Sequence, residues 1–178
     1  MKPSARAPAW PRVERSGDGL EYVVRPIRAD DATREREFIL ALSPESRFQR
    51  FMHGMREPSE ELIAQLVDID AHRRMALVAV IGAPQAEKII GVARYAADAD
   101  GLDCEFGVAV ADAWQCRGVG TTLARLLFEH AAREGFRLIY GHVLASNHRM
   151  LELAEWLGLA VEPSAPGQST VRASRRLN

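Results

Sequence analysis

The 178-residue sequence predicts a single α+β domain, a mixed and mostly antiparallel central sheet flanked by helices. Three observations predict it. Short apolar or alternating runs at 75–81, 89–95 and 104–110 follow one another across turn signals at Gly82-Ala83-Pro84 and at 98–101, as consecutive antiparallel strands do. Segments of helical period stand before and after those runs. The length, with 47% hydrophobic residues, supplies one buried core of ordinary size and not two.

Each element has a local reason. Residues 1–19 mix Pro3, Pro8, Pro11, Gly17 and Gly19 with charges and show no period, so they are expected to be a disordered arm ahead of a domain at 20–178. The alternation over 21–27 suits a first strand, near a sheet edge because of Pro26. Asp30 or Asp31 is placed to cap a helix bearing Phe38, Ile39 and Leu42. Ser43-Pro44-Glu45 opens a second helix with proline in its first turn, and a third starts near Ser59 with Leu62, Ile63, Leu66 and Val67 on one face. Three strands follow. After 104–110 a glycine loop leads into a helix with Val119, Leu123, Leu126, Leu127 and Ala131 on one stripe, ending at Gly135. A strand over 137–143, a helix capped by Asn147 and stopped by Gly158, and weak strands near Leu159 and Thr170 complete the chain.

Composition excludes several classes of function. With 23 basic and 24 acidic residues the net charge is −1, so no global field draws the chain to nucleic acid or to an anionic membrane. Cys104 and Cys116 are too few for a disulfide framework, and neither belongs to a ligand cluster; the five histidines lack paired metal-ligand spacing, so no metal is expected. His142 reads with the others as a surface or packing residue. There is no apolar signal segment and no apolar run of spanning length, so the expected location is the cytoplasm.

The motif that carries chemistry is Gln115-Cys116-Arg117-Gly118-Val119-Gly120, between a strand and a helix. Its glycines permit close approach, and the unpaired N–H groups of the helix that starts there attract phosphate. A Walker loop is disfavoured by the missing Gly-Lys-Ser/Thr and a dinucleotide fold by the missing third glycine and parallel βαβ unit, while a tight strand-to-helix turn with no ligand also accounts for the loop taken alone.

Gln-x-x-Gly-x-Gly after Glu-Phe-Gly-Val-Ala-Val, with Asn147 opening the next helix, resembles the GNAT superfamily of N-acetyltransferases over about residues 20–162. Ser43-Pro44-Glu45-Ser46-Arg47-Phe48 with Arg50-Phe51, residues 90–94 and Asp112-Ala113-Trp114-Gln115 are similar to the acetyltransferase domain of bacterial protein lysine acetyltransferases. The resemblance implies a GNAT-like fold and acetyl-CoA as cosubstrate. It further implies that Gln115, Cys116, Arg117, Gly118, Val119, Gly120 and Thr121 hold the pyrophosphate, while Val108 and Val110 pair with the pantetheine arm like a strand and Asn147 contacts its amides.

Direct acetyl transfer needs a neutral amine, hence a base or a desolvating pocket. Glu105 is the candidate: alternation puts Glu105, Gly107 and Ala109 on one face, a carboxylate beside two small residues, and the resembled lysine acetyltransferases place their base there. Asp103, at the strand's start, is a poorer one. The Val108 N–H is expected to stabilise the oxyanion. Many relatives place a Tyr in the helix after the Asn to protonate the leaving thiolate, but the matching residue is Ala154, which leaves the acid unassigned with Tyr140 as a weak substitute. Cys116 belongs against the phosphates and is not expected to be a nucleophile. The Arg47, Phe48, Arg50, Phe51 cluster and the acidic run Glu57, Glu60, Glu61, Asp68 and Asp70 fall where this family shapes its acceptor pocket, although helix packing and solvation also account for them. The favoured acceptor is a protein lysine; the alternatives are a small-molecule amine such as a polyamine or antibiotic, or a silent CoA-sensing module.

Overall fold

The structure is a computed structural model that describes residues 9–165 and 167–177. Its strands are β1 (Arg12–Arg15), β2 (Glu21–Pro26), β3 (Arg74–Ile81), β4 (Lys88–Ala97), β5 (Asp103–Val110), β6 (Leu138–Leu144), β7 (Ala160–Pro163) and β8 (Thr170–Arg176). Its helices are α1 (Ala32–Ala41), α2 (Pro44–Phe51), α3 (Glu60–Val67), α4 (Val119–Arg133) and α5 (His148–Trp156). The strands form one sheet in the order β1-β2-β3-β4-β5-β6-β8-β7. Every neighbouring pair is antiparallel except β5 and β6, which are parallel.

Strand β3 is a continuous apolar run because both of its faces are covered. Met75, Leu77 and Ala79 point into the core under α4, while Ala76, Val78 and Val80 enter a second core with Phe38, Ile39 and Ile63 from α1 and α3. Leu123, Leu126 and Leu127 of α4 are fully buried, each contributing about 2 kcal/mol of transfer free energy. The helix starts behave as their sequences dictate: Ser43, Ser59 and Asn147 each accept a hydrogen bond from the N–H three residues on.

Three expectations change. Residues 12–15 are a strand, not part of an unstructured arm: Arg12–Arg15 pairs with Val24–Glu21. The rest of the arm up to residue 8 lies outside the described residues. Strand β2 is consequently one in from the edge, and Pro26 is tolerated because β1 stops opposite Val24. Asp31 precedes α1 but makes no cap hydrogen bond to it. Its buried carboxylate accepts from both terminal guanidinium nitrogens of the buried Arg25, at 2.7 and 2.9 Å, which a desolvated charge needs more than a helix end does.

The pairing of β5 with β6 positions the site. It runs for three rungs, Asp103 with Leu138, Cys104 with Ile139 and Glu105 with Tyr140, and then stops. Beyond Glu105 the two strands diverge, so the edge of β5 from Phe106 to Val110 faces open space in place of a neighbour. Gly141 marks the divergence: a Cβ there would lie 2.9 Å from the Phe106 carbonyl oxygen, a clash no side chain can meet.

Candidate active site

The divergence opens a cleft of about 640 Å³. Residues 105–110 of β5 form one wall, 141–143 of β6 the other, and α2 and α5 flank the opening. A second cavity of about 360 Å³ lies on the α3 side of the sheet, between Gln65, Leu66 and Asp68 and the ends of β3 and β4. The two share Arg50, Glu105, Phe106 and Gly107.

At one end of the larger cleft the glycine loop turns into α4. Cys116 and Gly118 adopt left-handed backbone angles, φ +58° and +83°, which bend the loop around the helix start. The N–H groups of residues 116–121 find no acceptor among the described residues; the first bonded one is Thr122, to the Gly118 carbonyl at 3.0 Å. Six free donors at the positive end of a 15-residue helix fit a pyrophosphate. Gly120 keeps the helix close to β5, since a Cβ there would meet Val110 at 3.3 Å.

Most of the residues expected to hold a cofactor do line this cleft: Val108, Val110, Gln115, Cys116, Gly118, Gly120, Thr121 and Asn147. Two side chains do not. Arg117 turns outward to Asp18 at 2.7 Å and over the Trp114 ring, and Val119 is fully buried in the core, so each could offer only its backbone N–H. The Gln115 side chain is a strut. Its Nε2 donates to the Ser46 hydroxyl and the Val110 carbonyl, both at 3.1 Å, and its Oε1 accepts from Arg149. Asn147 spends its Oδ1 on the α5 cap, leaving its amide N–H groups for a ligand.

Helix α2 is tied to the loop by Asp112, which accepts from the Ser43 N–H and from the Ser43 and Ser46 hydroxyls at 2.8–2.9 Å. Burial works to raise the Asp112 carboxyl, but those hydrogen bonds outweigh it and hold the group below the usual carboxylate range.

Glu105 is exposed at the last rung of the β5–β6 pairing and borders both cavities. The guanidinium of Arg50 lies against Gly107, two residues on, with no hydrogen-bond or ion-pair partner among the described residues. Desolvation, aided by the nearby Arg94 cation, pushes Arg50 down to about 10 against the opposing pull of Glu35 and Glu105; it stays charged at neutral pH. Glu35 is buried on Arg94 at 2.6 Å, and its desolvation raises its carboxyl. Of the acidic run, Asp68 lines the smaller cavity, paired with Arg74 at 2.7 Å, while Glu60 pairs with Arg36 outside it. Asp103 lies behind the cleft beside Arg137. Ala154 is completely buried in the core and carries no proton donor. Nor is Tyr140 free: its hydroxyl donates to Asp98 at 2.8 Å, and burial with that bond pushes it up to about 12.

Sequence reasoning missed His142, the exposed β6 side chain just past Gly141, which lines the cleft. Its signal was positional only, since Glu105 stands opposite Tyr140 and the alternation of β6 puts 140 and 142 on the same face. Among the described residues no group of three or more His, Cys, Asp or Glu could hold a metal ion, and no helix is long and apolar enough to cross a membrane. Both cysteines are free, Cys104 buried and Cys116 exposed.

The diverging strand pair beside a donor-lined helix N-terminus fits the arrangement that the resemblance to acyltransferases implies. Residues 38–159 match the model of the acetyltransferase (GNAT) family, and the chain belongs to it. It is 39% identical over 158 residues to acetyltransferase PA5475 of Pseudomonas aeruginosa, covering 89% of this chain and 84% of that protein. The crystal structure of the GNAT domain of S. lividans PAT superposes with a TM-score of 0.86 at 28% identity, covering 96% of this chain and 99% of that one. The fold also matches yncA of Salmonella typhimurium, solved with its cofactor acetyl-CoA, with a TM-score of 0.67 at 16% identity over 88% and 94% of the two chains.

Proposed function

We propose that this acetyltransferase moves the acetyl group of acetyl-CoA directly to a primary amine, with Glu105 as general base and a protein lysine side chain as the acceptor. The observation that carries the reading is the position of Glu105. It stands where the donor-lined cleft meets the smaller cavity, so a thioester on one side and an amine on the other would both come within its reach.

The cleft suits acetyl-CoA in three respects. Residues 116–121 would receive the pyrophosphate on free N–H groups, the unpaired edge of β5 would receive the pantetheine amides as a further strand, and the splay leaves room for the thioester beside Gly107. An ammonium has no lone pair, so Glu105 would take its proton, or that of the first-formed adduct, while the N–H of Val108 stabilises the oxyanion. The charge of Arg50 next to that position works in the same direction by disfavouring the ammonium form of a bound amine.

A lysine acceptor is supported by the similarity of Ser43–Phe51 and Asp112–Gln115 to bacterial protein lysine acetyltransferases, and by a smaller cavity suited to one extended side chain. Incubating a cell lysate with the protein and labelled acetyl-CoA, followed by mass spectrometry, tests it. New acetyl-lysines on specific proteins are expected; acetylation of free polyamines or aminoglycosides with no protein product would reassign the acceptor, and thioester binding without transfer would make the chain a CoA sensor.

A further inference from the structure

We propose that His142 is the proton donor to the departing CoA thiolate, an inference that rests on the acetyl-CoA reading above. Ala154 has no hydroxyl and is sealed in the core, and the hydroxyl of Tyr140 is already committed to Asp98. Any side-chain acid therefore comes from another cleft-lining group.

The register of the sheet points to one. Glu105 and Tyr140 share the last rung, and Gly141 is the point where the strands part. His142 is therefore the first β6 side chain beyond the divergence, on the same face of the sheet as Glu105 and across the gap from Gly107. Whatever thioester Glu105 serves has His142 on its other flank.

The remaining protic groups of the cleft are engaged or unsuited. Ser46 and Gln115 are bonded to each other, Arg149 donates to Gln115, Thr121 and Cys116 belong to the phosphate end, and Arg50 keeps its proton near neutral pH. Imidazole is the side chain that exchanges a proton readily in that range. The charges around it come from every neighbouring element: Glu105 of β5, Arg50 of α2, Glu152 of α5, and Arg172 of β8, which pairs with His142 and lies over the Tyr140 ring.

The step balances. The amine, its ammonium proton already released to solvent, bonds through nitrogen to the carbonyl carbon, and an N–H proton of the adduct passes to Glu105. The C–S bond breaks with its electron pair on sulfur, and the imidazolium proton of His142 passes to that sulfur, releasing CoA as the thiol. Water then carries the proton from Glu105 to the imidazole, so no proton is consumed overall.

The test uses the whole chain and an amine that the wild type acetylates. In His142→Ala, kcat is expected to fall about tenfold or more with KM for acetyl-CoA unchanged, and millimolar imidazole in the buffer should restore a large part of it. His142→Gln, which keeps the polarity and bulk but has no acidic proton to give, should be equally slow. Wild-type kcat in either variant, or a loss that imidazole does not restore, overturns the assignment while leaving acetyl transfer intact. A wild type that transfers to no amine overturns the acetyl-transfer reading itself, and this inference with it.

Discussion

The Cβ that Gly107 lacks would lie 3.1 Å from the guanidinium carbon of Arg50, so the cation of α2 rests directly on the backbone of β5. That contact makes Arg50 a wall common to the two cavities, and it exists only because position 107 has no side chain.

Gly107→Ala should therefore separate folding from function. The new methyl meets the far end of a flexible side chain, which can retreat by a few tenths of an ångström, so stability should change by less than about 1 kcal/mol. The displaced guanidinium alters the acceptor side. Steady-state kinetics with the acceptor varied should show KM or kcat shifted several-fold, with calorimetric acetyl-CoA affinity within about twofold of wild type. Unchanged acceptor kinetics would mean that Arg50 has no part in the acceptor site.

Replacing the proposed base separates binding from chemistry. Glu105→Gln should lower turnover by about two orders of magnitude at neutral pH and leave acetyl-CoA affinity nearly untouched. Without a base the rate depends on the fraction of amine already neutral, so the deficit should shrink steadily from about pH 6 to about pH 9. Thiol release followed across that range reads both effects; a constant ratio to wild type at every pH would count against the assignment.

The strands and helices that carry the site were legible because their signals are local. Ser43, Ser59 and Asn147 cap by their own side chains, and the apolar period of α4 survives intact. Strand β1 was not legible: Val13 is 67% exposed, so Arg12–Arg15 has no buried alternation and forms by completing the edge of β2. Asp31 reads as a cap until Arg25, six residues upstream on another element, claims it. His142 is invisible as chemistry because its meaning lies in the rung between Glu105 and Tyr140, a pairing between strands more than thirty residues apart.

The phosphate loop depends on a backbone angle. Gly118 sits at φ +83°, where an L-residue with a Cβ costs about 1 kcal/mol, and nothing within 4 Å would obstruct the methyl itself. Gly118→Ala should melt slightly earlier and bind acetyl-CoA less tightly, the loss coming from the misaimed N–H groups that follow. The diagnostic comparison is with S-acetylpantetheine, which carries no phosphate, and which the variant should bind as the wild type does.

Asp112 holds α2 to the loop, and its carboxyl is lowered on folding by the Ser43 and Ser46 hydrogen bonds. A carboxyl lowered in the folded state contributes stability that is present above its unfolded value of about 4 and is lost as pH falls through the folded one. Asp112→Asn should lose that pH dependence and weaken acceptor turnover, since α2 carries Arg50. Urea midpoints measured from about pH 6 down to about pH 3 check the first effect and acceptor kinetics the second.

His130 gives the fold an acid sensitivity far from the chemistry. It lies on the buried face of α4, and its Nδ1 is 3.0 Å from the Tyr95 hydroxyl oxygen. Because that hydroxyl spends its one proton on the His72 carbonyl, also at 3.0 Å, His130 must be the donor to Tyr95. Burial lowers its pKa; Glu134 opposes this and Arg133 adds to it. A histidine lowered on folding binds its proton more weakly in the native state than in the unfolded chain. Its contribution is complete above the unfolded value of about 6.5 and is lost as pH falls from there toward the folded value. His130→Leu should cost about 1 kcal/mol at about pH 7.5 through the lost hydrogen bond and the unpartnered Tyr95 oxygen. At about pH 5.5 the gap to wild type should narrow, because only the wild type pays to keep a neutral imidazole in the core. Denaturant midpoints of the two proteins at both pH values decide it: a gap of equal size at each would mean that His130 does not titrate with folding.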